Sequence, residues 1–180
     1  MSYIKPIDRN NADASVAGTL DAIKAKLGKV PNLFLTLAHT PVALNTYVQL
    51  AEVTAKSKLN LKQREQIALA VGEANSCDYC LSAHSLTGGM AGLKPAQIEA
   101  ARRATAENPR DAAILKLARS IVDNRGHVPT SELDEFKAAG FNDADVLEVL
   151  VSVVQNIFTN YANHIAGTEI DFPVAAKLAA

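Results

Sequence analysis

Apolar side chains recur at intervals of three and four residues along most of this chain, the spacing of a buried helical face. Val16, Leu20, Ile23 and Leu27 form the first stripe, over 13–27, and Gly28 supplies its stop. A brief helix over 30–38 is opened by Pro31. Thr40-Pro41 reads as an N-cap with proline at the first helical position, leading through Leu44, Tyr47, Val48 and Ala51 to about residue 57. Asn60 caps a helix over 61–74 with Ile67, Leu69, Ala70 and Val71 on its apolar face. The next helix is capped by Asn75 or Ser76 and ends near Gly88-Gly89 or Gly92. Pro95 opens a helix to about residue 105, and Asn108-Pro109 caps one to Asn124, before Gly126. Thr130 or Ser131 opens a short one to Gly140. Asn142 caps a long apolar helix over 143–165, followed by Gly167, and the tail 168–180, with Pro173, is expected to be irregular. No segment alternates with period two for long enough to predict a strand. The predicted fold class is all-α.

Composition narrows the function classes. At 180 residues and 48% hydrophobic content, one domain spanning 1–180 with a sizeable core is expected. Net charge is −1, from 18 basic and 19 acidic residues without a basic run, so no electrostatic footprint for nucleic acid or an anionic membrane exists. Neither a signal-peptide-length apolar stretch after Met1 nor any run approaching ~18 apolar residues is present. A soluble, cytoplasmic protein is expected.

The residues that carry chemistry are concentrated. The chain has two cysteines, Cys77 and Cys80, with His84 four residues after the second and Glu65 twelve residues before the first. On a helix, spacings of three and four place Cys77, Cys80 and His84 along one side. Two sulfurs close enough to bridge, with an imidazole in reach as proton acceptor, suit thiolate chemistry, and the first helical turn favours the thiolate further. An intramolecular Cys77–Cys80 disulfide is expected after mild oxidation. Two blander readings compete: small core cysteines, or structural zinc. Zinc wants a second ligand pair, which His127 and His164 complete only by folding close. In a reducing cytosol a redox dithiol is the better reading. A redox dithiol requires no metal, flavin or nucleotide, and no motif for one, such as a glycine-rich phosphate loop, occurs, so no cofactor is expected.

From Val30-Pro31-Asn32-Leu33 onward, through Lys62-Gln63-Arg64-Glu65, Ala70-Val71, Asn75 and Cys77-x-Tyr79-Cys80-x-x-x-His84, the chain resembles the alkylhydroperoxidase D-like, peroxidase-related branch of the carboxymuconolactone decarboxylase superfamily. The resemblance implies a helical fold whose antiparallel helix pair carries the Cys-x-x-Cys motif. It implies a peroxide substrate, a dithiol reductant of lipoyl type, antioxidant activity, and a homo-oligomer, trimer or hexamer. It also assigns Cys80 as the residue that attacks peroxide and Cys77 as the one that resolves the sulfenic acid. Position alone favours Cys77, nearer the helix start, whereas the His84 spacing favours Cys80. A positioned base contributes ~10²–10⁴-fold, more than a first-turn dipole effect of ~0.3–1 kcal/mol, so Cys80 is preferred. Glu65 would orient His84 as the third member of a triad does, with Glu73 as the rival carboxylate. The family's best-known member has histidine where Tyr79 stands, which leaves Tyr79 an auxiliary position.

Asn156, Asn160 and His164 step by four along the last helix and predict a polar, pocket-lining stripe, or else an oligomer interface. His39, His127 and the Arg102-Arg103 pair read as ordinary surface. A decarboxylating or isomerising lactone enzyme would not need the cysteine pair, and a non-enzymatic dithiol sensor would share the fold.

Overall fold

Polar caps set the helix boundaries of the computed structural model, which describes residues 2–178. The helices are α1 (Ala14–Leu27), α2 (Asn32–Leu37), α3 (Pro41–Thr54), α4 (Leu61–Ala74), α5 (Asp78–Met90), α6 (Pro95–Arg102), α7 (Pro109–Asp123), α8 (Thr130–Ala138) and α9 (Asp143–Ala166), with no strand among the described residues. The Asp13, Thr40, Asn60, Asn108 and Asn142 side chains accept first-turn N–H groups, satisfying donors that have no partner within the helix. The predicted all-α class is the observed one. A single 3₁₀ turn, Arg9–Asn11, is too short to show a period. Two helices stop earlier than their stripes suggest: α3 ends at Thr54, and α6 ends at Arg102 because Ala104 turns left-handed, φ 55°.

α4 lies at the centre, packed against α5, α6, α7 and α9. Its Ile67, Leu69 and Val71 are fully buried against Ile114 and Leu117 of α7 and Val149 and Val153 of α9. Each such side chain contributes roughly 1.5–3 kcal/mol of burial. A second cluster gathers Val16 and Leu20 of α1, Leu33 and Leu37 of α2 and Leu44 of α3 around Cys77, Tyr79 and Cys80. The cysteines therefore belong to the core on one side while facing α4 and α9 on the other.

α4 and α5 form a tight antiparallel hairpin. The N–H of Ser76 donates to the carbonyl of Glu73, and that of Cys77 to the carbonyl of Gly72, the paired bonds of a Schellman turn. Ser76 takes the left-handed position usually held by glycine, φ 55°. Along the hairpin, Gly72 lies against Leu81 and Cys80, and Gly88 against Glu65 and Leu69. Without side chains at these two positions the helices approach closely enough for residues of one to reach the other.

Arg102 departs from expectation: it is buried, 4% exposed, whereas Arg103 is exposed. Its Nε donates to Glu73 at 2.7 Å and its guanidinium to the Ala176 carbonyl. A buried cation needs both charge and hydrogen-bond partners, and these come from α4 and the tail. The tail over 168–178 forms no helix, as expected, yet it is tied down by Asp171, Ala175 and Ala176. No helix among the described residues is long and apolar enough to cross a membrane.

Candidate active site

Cys77 is itself the N-cap of α5, a correction to the expected Asn75 or Ser76, and its Sγ accepts the N–H of Cys80 at 3.4 Å. The hairpin decides this: Asn75 caps the end of α4 and Ser76 turns left-handed, so helical geometry resumes only at Asp78. Cys77 and Cys80 are joined as a disulfide with their Cα atoms 5.3 Å apart, within the ordinary range for such bonds. Both residues are buried, 1% and 3% exposed.

One helical turn beyond Cys80 stands His84, and the antiparallel hairpin brings Glu65 to it. The Nδ1 of His84 lies 2.9 Å from Glu65 Oε2. A carboxylate can only accept, so Nδ1 carries a proton and donates, which leaves Nε2 as the nitrogen that can exchange one. Thr87, a further turn along α5, donates its hydroxyl to the same Oε2 at 2.6 Å. Burial pushes the Glu65 carboxyl up, but the charge and hydrogen bond of His84, then Thr87 and Arg64, outweigh it and hold the group below the usual carboxylate range. Glu65 is therefore an ionised, aimed acceptor. Thr87 went unread in the sequence, although its spacing of three from His84 places it on the same face. Glu73, the rival carboxylate, is committed to Arg102 instead.

Tyr79 is buried and faces away from this pair. Its hydroxyl accepts the N–H of Leu33 at 3.1 Å and donates to Asp171 at 2.8 Å, and Phe172 packs edge-on against its ring. Burial, with the neighbouring Asp171 charge, raises its pKa far above the phenol range, so it stays protonated. Tyr79 ties the tail and α2 to the cysteine helix, and it makes no contact with the imidazole relay.

Two of the three polar residues expected on one side of α9 share a buried face, and the third does not. Asn156 and Asn160 are buried, while His164 is exposed, with its ring beside Tyr161. Steps of four over-rotate a helix of 3.6 residues per turn, so by residue 164 the stripe has left the face and Asn163 has entered it. Asn163 is 4% exposed, and its Nδ2 lies 3.3 Å from Cys80 Sγ. Asn160 accepts from Asn75 Nδ2 at 2.9 Å, locking α9 to the hairpin turn. Beside this region three rings pack in series: Phe34 is tilted against Tyr47 with centroids 5.6 Å apart, and Tyr47 stacks on Phe158 at 6.3 Å. The Tyr47 phenol is held neutral, chiefly by burial and further by the Glu65 charge, against an opposing hydrogen bond with Gln155. Among the described residues, no group of three or more His, Cys, Asp or Glu side chains converges on a point where a metal ion would sit.

Known proteins share this geometry's setting. Residues 41–123, which contain Glu65, both cysteines and His84, match the carboxymuconolactone decarboxylase family profile. No curated protein matches the chain by sequence. Among solved structures, the alkylhydroperoxidase AhpD core of an uncharacterized peroxidase-related protein from Ralstonia eutropha JMP134 superposes with a TM-score of 0.85 at 22% identity, over 94% of this chain and 92% of that one. A peroxidase-related protein from Silicibacter sp. TM1040 gives 0.81 at 21% identity, over 93% and 92%. The debrominase Bmp8, in a cysteine-to-alanine variant bound to 2,3,4-tribromopyrrole, gives 0.80 at 19% identity, over 95% and 92%.

Proposed function

We propose, for a chain whose residues 41–123 belong to the carboxymuconolactone decarboxylase family and whose fold is alkylhydroperoxidase D-like, a thiol-dependent hydroperoxide reductase working through Cys77 and Cys80. The observation that carries this reading is a bridged cysteine pair at the start of α5, one turn before an imidazole held by a partly buried, ionised carboxylate. His84 Nε2 takes the proton of Cys80, and Glu65 steadies the resulting imidazolium. The Cys80 thiolate attacks one peroxide oxygen, the O–O bond breaks, and the departing alkoxide collects that proton as an alcohol. Cys80 is left as a sulfenic acid. The Cys77 sulfur then displaces its hydroxyl as water and forms the disulfide, and an external dithiol, of lipoyl type in this reading, reduces it again.

Self-association belongs to the same reading, supported by the apolar side chains that α9 leaves exposed: Leu147, Leu150, Val151, Val154, Tyr161 and Ile165. A second reading, reductive removal of a halogen from a small aromatic ring, is favoured by the likeness to a debrominase and by the row of rings Phe34, Tyr47 and Phe158. Consumption of cumene hydroperoxide by the reduced protein with dihydrolipoamide tests the first. Turnover should be abolished in Cys80→Ser, and Cys77→Ser should stop after one equivalent with a sulfenic acid trapped by dimedone. Absence of turnover above the free dithiol overturns it, and bromide release from a brominated pyrrole would support the second.

A further inference from the structure

Cys80 sits 3% exposed, so its sulfur has little water to solvate a negative charge. A thiolate formed there needs donors from the protein. The N–H of Cys80 itself is committed to the sulfur of Cys77. The donor that reaches the Cys80 sulfur is the Nδ2 of Asn163, at 3.3 Å, from a helix 83 positions away in sequence.

Asn163 is an unfavourable residue to bury unless both edges of its amide are used. It is 4% exposed and its Oδ1 has no hydrogen-bond partner. An unpaired buried acceptor costs roughly 1–3 kcal/mol. Asn160, three residues earlier on α9, is fully buried and holds Asn75 at 2.9 Å, which ties this face of α9 to the turn that presents the cysteines. An apolar side chain there would leave no polar atom unpaired. The amide therefore has a use that the disulfide state does not display.

We propose that Asn163 is a catalytic residue of the dithiol cycle, its Nδ2 donating to the Cys80 thiolate and its Oδ1 accepting the hydroxyl of the Cys80 sulfenic acid; this rests on the peroxide-reducing assignment only for the sulfenic step. The amide neither gains nor loses a proton or electron. In the reduced enzyme it lowers the energy of the charged sulfur. After attack, the oxygen newly bonded to Cys80 carries an O–H, and the unpaired Oδ1 becomes its partner. When Cys77 displaces that hydroxyl as water, the Oδ1 is left bare again, as it is in the disulfide structure. The single amide thus distinguishes the oxygenated intermediate from the disulfide.

The test separates this role from the peroxidase assignment because its readout requires no substrate. In a Cys77→Ser background, the iodoacetamide alkylation rate of Cys80 is followed against pH for the parent, Asn163→Leu and Asn156→Leu. Loss of one hydrogen bond to a charged sulfur is expected to raise the apparent pKa of Cys80 by about 1 unit in Asn163→Leu, a roughly tenfold slower reaction at neutral pH. Asn156→Leu, whose amide donates to the Ser152 carbonyl within α9 and not to the sulfur, should change the rate less than threefold. An unchanged profile in Asn163→Leu, or equal shifts in both variants, overturns the proposal. Should Asn163→Leu fail to fold, the reduced unaltered protein decides. The side-chain NH₂ resonances of Asn163 should titrate together with the thiolate absorbance of Cys80, and resonances that stay fixed through that titration overturn the proposal. Peroxide turnover without an alkylation effect would refute the Asn163 role alone, whereas an alkylation effect without turnover would refute the peroxidase assignment alone.

Discussion

Glu65→Gln asks how much the partly buried charge beside His84 contributes. The substitution keeps the size of the side chain and one oxygen acceptor while deleting the charge. Glu65 accepts from His84 at 2.9 Å and Thr87 at 2.6 Å with 14% of its side chain exposed. Hydrogen bonds to a charged group are worth about 1.5–3 kcal/mol against about 0.5–1.5 for neutral pairs, and relief from burying a charge offsets part of the difference. A net loss of about 1–2 kcal/mol at pH 7 is expected from these terms. The pH dependence is the sharper test. The folded Glu65 pKa is depressed, so its stabilisation is fully present above the unfolded value of about 4.3 and fades as pH falls through the lower folded value. The gap between parent and variant should therefore be constant from pH 7 to about 5 and close below about 4. Urea unfolding of both proteins, disulfide intact and followed by far-UV circular dichroism at several pH values, measures it. A gap that stays constant down to pH 3, or widens, would refute an ionised, stabilising Glu65.

Neighbouring glycines on α5 should respond oppositely. A Cβ at Gly88 would meet Leu93 Cδ1 at 3.2 Å and Glu65 Cβ at 3.8 Å, so Gly88→Val should destabilise by about 1–3 kcal/mol. Gly89 has open space around it, and Gly89→Ala should stabilise by about 0.5–1 kcal/mol; both are read from thermal melts. Asp171→Ala removes the acceptor of the buried Tyr79 hydroxyl and the partner of Lys29. It should cost about 1–3 kcal/mol and expose the bonds over 168–178 to limited proteolysis, while an unchanged cleavage pattern would show that the tail is held by its other contacts.

The all-α class, the order of the helices and most of their caps were legible in the sequence, because capping and 3.6-residue periodicity act within a few residues of chain. The Cys77, Cys80 and His84 spacing was legible for the same reason. Glu65 could be placed beside His84 only by supposing the hairpin, and the structure builds that hairpin from Ser76 in a left-handed turn and glycines at Gly72 and Gly88. Three features came from tertiary structure alone. Arg102 is buried because Glu73 and the tail meet it from distant positions. Tyr79 is turned from the relay because Leu33 and Asp171 claim its hydroxyl. Asn163, not His164, reaches Cys80 because the rotation of α9 against α5 is set by core packing across both helices. Local pattern names which residues share a face, but the partner of that face is chosen by burial summed over segments far apart in the chain, and no short stretch of sequence contains that sum.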